Sequence, residues 1–139
     1  GAEYIGAKYS HIVDDISAKL SQVVDKLTDA KVSRRQIALD PGIGFGKSVD
    51  QNLALLKHLD VLKERLNLPF VLGTSRKSFI GRILDLPIEE RLEGTAATVA
   101  AGIMQGADII RVHDVREMVR VARVIDRLKV VPSSGEVGV

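Results

Sequence analysis

Asp40 opens the run Asp40-Pro41-Gly42-Ile43-Gly44-Phe45-Gly46-Lys47-Ser48, directly after the apolar Ile37-Ala38-Leu39. An ionised carboxylate only accepts hydrogen bonds, so it suits a ligand presenting two N–H donors side by side. The glycines invite a phosphate-loop reading. That motif needs Gly-x-x-x-x-Gly-Lys-[Ser/Thr], and counting back from Gly46 its first glycine falls on Pro41. The dinucleotide pattern Gly-x-Gly-x-x-Gly fails as well, because Gly42, Gly44 and Gly46 alternate strictly. Glycine content alone would serve a plain strand-to-helix connection. The carboxylate at the start of the run favours a ligand site instead.

A second cluster, Gly73-Thr74-Ser75-Arg76-Lys77-Ser78, places cations and hydroxyls where a strand turns into a helix. Helix-start N–H groups with cations beside them attract anions and polar ligands. The plainer alternative is that Arg76 and Lys77 are solvated while Thr74 or Ser75 caps the helix. A cap explains one residue and not the whole run. The third cluster is Arg111-Val112-His113-Asp114. If the strand extends to His113, Arg111 and His113 share one face, and Ile110 and Val112 face the helices. A buried, unpaired arginine is costly. A phosphate or diphosphate could meet it as an acceptor for the guanidinium fork, with His113 as a second donor. A structural pair between Arg111 and a carboxylate is the competing reading. His11 and His58 fall within helical segments as surface or boundary residues. No His, Asp or Glu set has metal-ligand spacing.

The elements that must carry these clusters follow from periodicity. Ile12, Ile16, Leu20, Val23, Val24 and Leu27 form an apolar stripe on a helix from about Ser10 to Ala30, with Ser10 as N-cap. Ile37-Ala38-Leu39 reads as a strand ending at Asp40-Pro41. Asp50 can cap a second helix carrying Leu53, Leu56, Leu59, Leu62 and Leu66. Phe70-Val71-Leu72 is the second strand. A helical region from about Arg76 to Gln105 follows, interrupted around Asp85-Leu86-Pro87. Its second part is rich in small residues, including Gly94, Ala97 and Gly102, which permit close helix packing. Asp108 to Val112 is the third strand, and a last helix covers about Val115 to Leu128. The tail Pro132-Ser133-Ser134-Gly135 has little to pack and is expected to fray. Repeated β-loop-α units with apolar strands predict a parallel sheet covered by helices. Every polar cluster sits at a strand's C-terminal end, the edge that carries ligands in such folds.

The composition removes other classes. The 139 residues hold 20 Lys plus Arg against 18 Asp plus Glu, a formal charge of +2, without the clustered basic face of a nucleic-acid binder. Aromatics are 4%, too few for a base-stacking platform. The 45% hydrophobic content supports a packed core. Without cysteine there is no disulfide, thiolate metal site or cysteine nucleophile. No apolar run approaches a membrane span, and the first residues lack signal-peptide character. One domain is expected, without internal linker.

Together the three clusters resemble dihydropteroate synthase. That family reads Asp-Pro-Gly-x-Gly-Phe-Gly-Lys, then Gly-x-Ser-Arg-Lys-Ser, then Arg-Val-His-Asp, in this order and at about these separations. Here they are Asp40 to Lys47, Gly73 to Ser78 and Arg111 to Asp114, and Gly94-Thr95-Ala96-Ala97 also looks like the family's. The likeness covers nearly the whole chain and corresponds to the C-terminal half of a TIM (β/α)8 barrel. It implies an α/β fold with about three parallel strands and about four to five helices, residues 1–139 being a single partial pterin-binding domain.

The resemblance implies a transferase of folate biosynthesis that is a sulfonamide target. Such enzymes join para-aminobenzoate to 6-hydroxymethyl-7,8-dihydropterin diphosphate, giving 7,8-dihydropteroate and diphosphate. By it Asp40, Gly73 and Lys77 bind the pterin. Phe45, Ser75 and Arg76 contact para-aminobenzoate, and Arg111 and His113 bind diphosphate. Lys77, Arg111 and His113 are then the catalytic residues. The family's Mg2+ has its protein ligand in the N-terminal half, so no metal ligand is expected in this chain. The likeness also implies a cytoplasmic enzyme with small-molecule substrates, no nucleic-acid or membrane partner, and a homodimer or association with the other barrel half. Two alternatives stand beside it. One is a methyltransferase of the same pterin-binding superfamily. The other is a non-catalytic half-barrel that binds a ligand or a partner chain.

Overall fold

The computed structural model describes residues 2–132 and 134, with side chains from residue 11 onward. Helix α1, Ala2–Asp29, is longer than the apolar stripe predicts, so Ser10 lies inside the helix and not at its N-cap position. The stretch before it contains no proline to stop the helix. Val13 and Val24 are buried, with Ile16, Leu20 and Leu27 packed against the same core, while Val23 turns outward.

The leucine-rich segment forms two helices, α2 (Val49–Lys57) and α3 (Leu59–Leu66), where periodicity predicts one. The chain bends at His58, with φ −110° and ψ 25°. The apolar stripe survives the bend, because Leu55, Leu56, Leu59, Leu62 and Leu66 are all buried. Ser48, not Asp50, caps α2. Its hydroxyl accepts the Gln51 N–H while the Gln51 side chain accepts the Ser48 N–H. The reciprocal pair satisfies two orphan donors, which a lone carboxylate at Asp50 cannot do.

Strands β1 (Val71–Leu72) and β2 (Ile109–Ile110) are parallel, with Val71 opposite Ile109 and Leu72 opposite Ile110. The expected first strand, Ile37-Ala38-Leu39, is reduced to a single parallel bridge between Leu39 and Phe70. Leu39 donates to the Pro69 carbonyl at 2.8 Å and accepts the Val71 N–H at 2.7 Å. The segment before it is already committed: the Ile37 N–H closes a 3-10 turn on Arg34. Phe70 and Leu72 carry the opposite edge of β1, accepting N–H groups from Ile109 and Arg111. β1 is therefore central.

Helix α4 (Ser78–Leu84) ends at Asp85, a residue with φ 54°, and a 3-10 turn at Ile88–Glu90 follows Pro87. Helices α5 (Leu92–Met104) and α6 (Val115–Lys129) complete the chain. The break at His58 raises the count from the expected four to five helices to six among the described residues. Of the expected frayed tail, Ser133 and Gly135 lie outside the described residues.

The core lies between the sheet and its helices, with Phe70, Leu55, Leu59 and Leu62 at its centre. The small residues of α5 do permit close approach. A Cβ on Gly102 would stand 2.1 Å from Leu72 Cδ2, and one on Gly94 2.2 Å from Ile80 Cγ2. Leu72 is itself buried and has nowhere to retreat. Gly102→Ala is thus expected to destabilise by about 1–3 kcal/mol through overpacking, despite alanine's better helix propensity. A lowered urea midpoint at unchanged m checks this, and a raised midpoint contradicts it.

Asp108 ties β2 to its neighbours. Its carboxylate accepts the Phe70 N–H and the Lys63 ammonium, both at 2.8 Å. Burial pushes its pKa up, but these two donors prevail and hold it below the ordinary carboxylate range. A carboxyl whose folded pKa is depressed adds stability above its unfolded pKa of about 3.9, and that stability is lost as pH falls through the lower folded value. Asp108→Asn is expected to flatten the acid limb of the stability–pH curve below about pH 4. An unchanged acid limb in thermal melts would show that Asp108 carries none of it.

Candidate functional site

The C-terminal ends of the Leu39 bridge segment, β1 and β2 bring the three polar clusters to one edge. Gly73, Ser75, Lys77, Arg111, Val112 and His113 line a cleft of ≈ 370 Å³ there. Gly73 lets the Arg111 guanidinium lie close against the backbone, since a Cβ would stand 3.0 Å from one of its nitrogens. Arg111 makes no ion pair among the described residues. The structural carboxylate pair that competes for Arg111 is not formed among the described residues.

His113 is oriented by Ser75. The Ser75 hydroxyl accepts the His113 backbone N–H at 3.1 Å and lies 2.7 Å from its Nδ1. With the hydroxyl already accepting the backbone N–H, donation of its own proton to Nδ1 corresponds to the Nε2–H tautomer of neutral His113. That leaves a ring N–H for the cleft. Ser75 is buried. Neither it nor Thr74 caps α4, which has no side-chain cap at all.

Lys77 joins the glycine loop to the cleft. Its ammonium donates to the Ile43 carbonyl and lies 4.7 Å from the centroid of the Phe45 ring. Phe45 is otherwise exposed, an aromatic face beside the cleft. Gly44 has φ +92°, and a Cβ there would stand 2.6 Å from Lys77 Cδ, so both backbone and packing demand glycine. The loop is pinned from below. Asn52, 2% exposed, accepts the Gly44 N–H at 2.8 Å. Lys47 donates to the carbonyls of Gly42 (2.7 Å) and Phe45 (3.0 Å). Asp40 accepts the Gly42 N–H at 2.8 Å through Oδ1, leaving Oδ2 for a ligand.

The electrostatics are those of an anion site. Burial lowers the Lys77 pKa, Arg111 and Lys47 lower it further, and Asp40 opposes them. Burial also lowers that of Lys47, Lys19 adds to this, and Asp40 again opposes. A negative ligand would relieve this crowding of cations.

Arg76 is the predicted site residue that turns elsewhere. Its guanidinium is a fork on Asp114, with contacts of 3.2 and 2.8 Å. The hydrogen bond from Arg76 holds the Asp114 carboxyl below its ordinary range. Asn52, Lys47, Thr95, Thr98 and Arg91 support the site and were not singled out for it by the sequence. An asparagine in a leucine-rich helix was a usable signal, because a buried amide needs a partner. Among the described residues no three His, Asp or Glu side chains gather as a metal site, and no helix is long and apolar enough to cross a membrane.

With this geometry in place, known proteins agree on a family. The family profile described as "Pterin binding enzyme" matches residues 2–113. The chain is 47% identical over 120 residues to the dihydropteroate synthase of Bacillus subtilis (strain 168), covering 86% of this chain and 42% of that protein. It is 49% identical over 120 residues to that of Clostridium beijerinckii, covering 86% and 44%. The solved dihydropteroate synthase from Xanthomonas albilineans in complex with 7,8-dihydropteroate matches with a TM-score of 0.83 at 34% identity, over 87% of this chain and 46% of that one. The chain thus spans less than half the length of each of these three relatives. Its α/β arrangement is part of the TIM barrel those structures have.

Proposed function

This chain belongs to the pterin-binding enzyme family, and from that premise we propose that it is the C-terminal half of a dihydropteroate synthase barrel, a single partial domain. The observation that carries this reading is the cleft in which Arg111, without an ion pair among the described residues, the His113 ring and the Lys77 ammonium converge beside Asp40.

Asp40, through Oδ2, accepts ring N–H donors of the pterin, with Gly73 and Lys77 against the same ring. Phe45, Ser75 and Arg76 border the para-aminobenzoate side, Phe45 through its exposed face. Arg76 acts there through its place in the turn, because its guanidinium is engaged by Asp114. Arg111 and His113 hold the diphosphate. In the reaction the bond from the pterin methylene carbon to diphosphate oxygen breaks first, and the diphosphate leaves with the electron pair. The aryl amine then forms the new C–N bond to the cationic methylene and gives a proton to solvent. Lys77, Arg111 and His113 lower the barrier by stabilising the departing anion. Mg2+ would supply further charge neutralisation, with its protein ligand in the N-terminal half, as the family likeness implies. Sulfonamides, as para-aminobenzoate mimics, and a cytoplasmic location go with this reading. A methyltransferase is disfavoured, because a methyl donor has no diphosphate for Arg111 and His113.

The direct test is turnover of both substrates with Mg2+, by the chain alone and with the remaining strands supplied. Product in neither case leaves the non-catalytic half-barrel. The anion role has its own check. Arg111→Ala is expected to weaken pyrophosphate binding by about tenfold and to flatten its salt dependence, one charge-assisted contact being gone. Equal affinity in variant and parent by calorimetry overturns the diphosphate assignment.

A further inference from the structure

The turn that delivers Ser75 and Lys77 to the cleft is built against local preference. The Lys77 N–H closes it on the Thr74 carbonyl at 3.2 Å. Arg76, its third residue, has φ +57°. Turns with a positive φ at that position favour glycine or asparagine there. An arginine persists in the left-handed region only if the surroundings over-determine it.

Two residues from the start of α5 do so. The Arg76 N–H donates to Thr95 Oγ1 at 3.0 Å, and its carbonyl accepts from Arg91 Nη1 at 2.9 Å. Both polar groups of the strained residue are thus held from one side. Thr95 is fully buried. Arg91 is fixed in turn by a bond from Nε to the Leu86 carbonyl and by packing on Gly81, where a Cβ would fall 2.3 Å from its guanidinium carbon. Thr98 braces the start of the turn, its hydroxyl lying 2.8 Å from Thr74 Oγ1 and 2.9 Å from the Thr95 carbonyl.

We infer that Thr95 and Arg91 are positioning residues of the cleft: by holding the N–H and C=O of Arg76 they set where the Ser75 hydroxyl and the Lys77 ammonium stand, and through Ser75 they fix the ring of His113. Neither lines the cleft itself. Only the pyrophosphate arm of the test rests on the proposed function.

Histidine labelled with 15N reports the result in the chain, in whatever assembly it forms, because only His11, His58 and His113 are present. At an alkaline pH that keeps imidazole neutral, the parent and Thr95→Ser should show His113 with the proton on Nε2. Thr95→Val and Arg91→Met should lose that preference and match Ser75→Ala, with the His11 and His58 signals unmoved. Pyrophosphate affinity should fall about tenfold in Thr95→Val, the cost of one unmade hydrogen bond, and recover in Thr95→Ser. A folded Thr95→Val chain with the parent's His113 pattern overturns the inference, as does a Thr95→Ser chain that fails to recover. Should Thr95→Val not fold, Arg91→Met decides by the same His113 criterion. If pyrophosphate binds no variant and not the parent, yet His113 responds as stated, the positioning role stands and the diphosphate reading falls.

Discussion

Asp40→Asn is expected to weaken binding of a pterin ring by about a hundredfold or more, measured by calorimetry with 6-hydroxymethylpterin on the assembled barrel. Two charge-assisted hydrogen bonds contribute roughly 1.5–3 kcal/mol each, and a hundredfold corresponds to about 2.7 kcal/mol. The substitution separates ligand binding from loop structure. Oδ1 of Asp40 accepts the Gly42 N–H, and an asparagine oxygen can keep that bond. The amide NH2 then occupies the place of Oδ2 and presents donors to donors. The loop keeps its other ties through Asn52 and Lys47. Asp40 also opposes the cationic surroundings that depress both Lys47 and Lys77. Its removal therefore leaves the cleft more positive, and pyrophosphate affinity should hold or rise while pterin affinity collapses. Unchanged pterin affinity removes Asp40 from the site. A parallel loss of pyrophosphate binding points to a disordered loop instead.

The clusters that carry chemistry were legible because each is contiguous and follows an apolar run, so the parallel α/β pattern alone places them on one edge. What the sequence hid is what joins them. Ser75 and His113 are 38 residues apart, as are Arg76 and Asp114, and no local pattern links either pair. The carboxylate beside His113 in sequence serves Arg76, not Arg111, because Arg76 is carried out of the cleft by its positive φ. The break at His58 was hidden too, since the leucine stripe runs through it and neither proline nor glycine marks it. Ser48 and Gln51 did announce their capping box, yet Asp50 competed for the same end on charge alone. The strands were readable as apolar runs but not in length, because ladder hydrogen bonds depend on neighbours that a sequence pattern does not supply.

The chain on its own is expected to associate rather than to remain a compact monomer. Inward positions alternate along the sheet as the period of two requires, and they lack cover. Ala38 is exposed, Val71 half-buried and Ile109 48% exposed, while their neighbours Leu39, Leu72 and Ile110 pack toward the helices. The far edge of β2 carries no strand among the described residues, and the other side of the sheet ends at the Leu39 bridge. Bare edges are templates for further pairing. Each Å² of apolar surface left in water forgoes about 25 cal/mol, so covering this face favours either a second copy or a segment carrying the remaining strands. Light scattering on the 139-residue chain should give a mass above that of the 15.1 kDa monomer, or aggregation, with binding of a dye to apolar surface. Adding a polypeptide with the remaining strands should lower dye binding and produce a defined complex. Ile109→Ser, which removes apolar surface from the face without touching the helix side, should shift the chain toward monomer. A sharp monomer peak from the parent, with cooperative unfolding and no dye binding, would sink the idea.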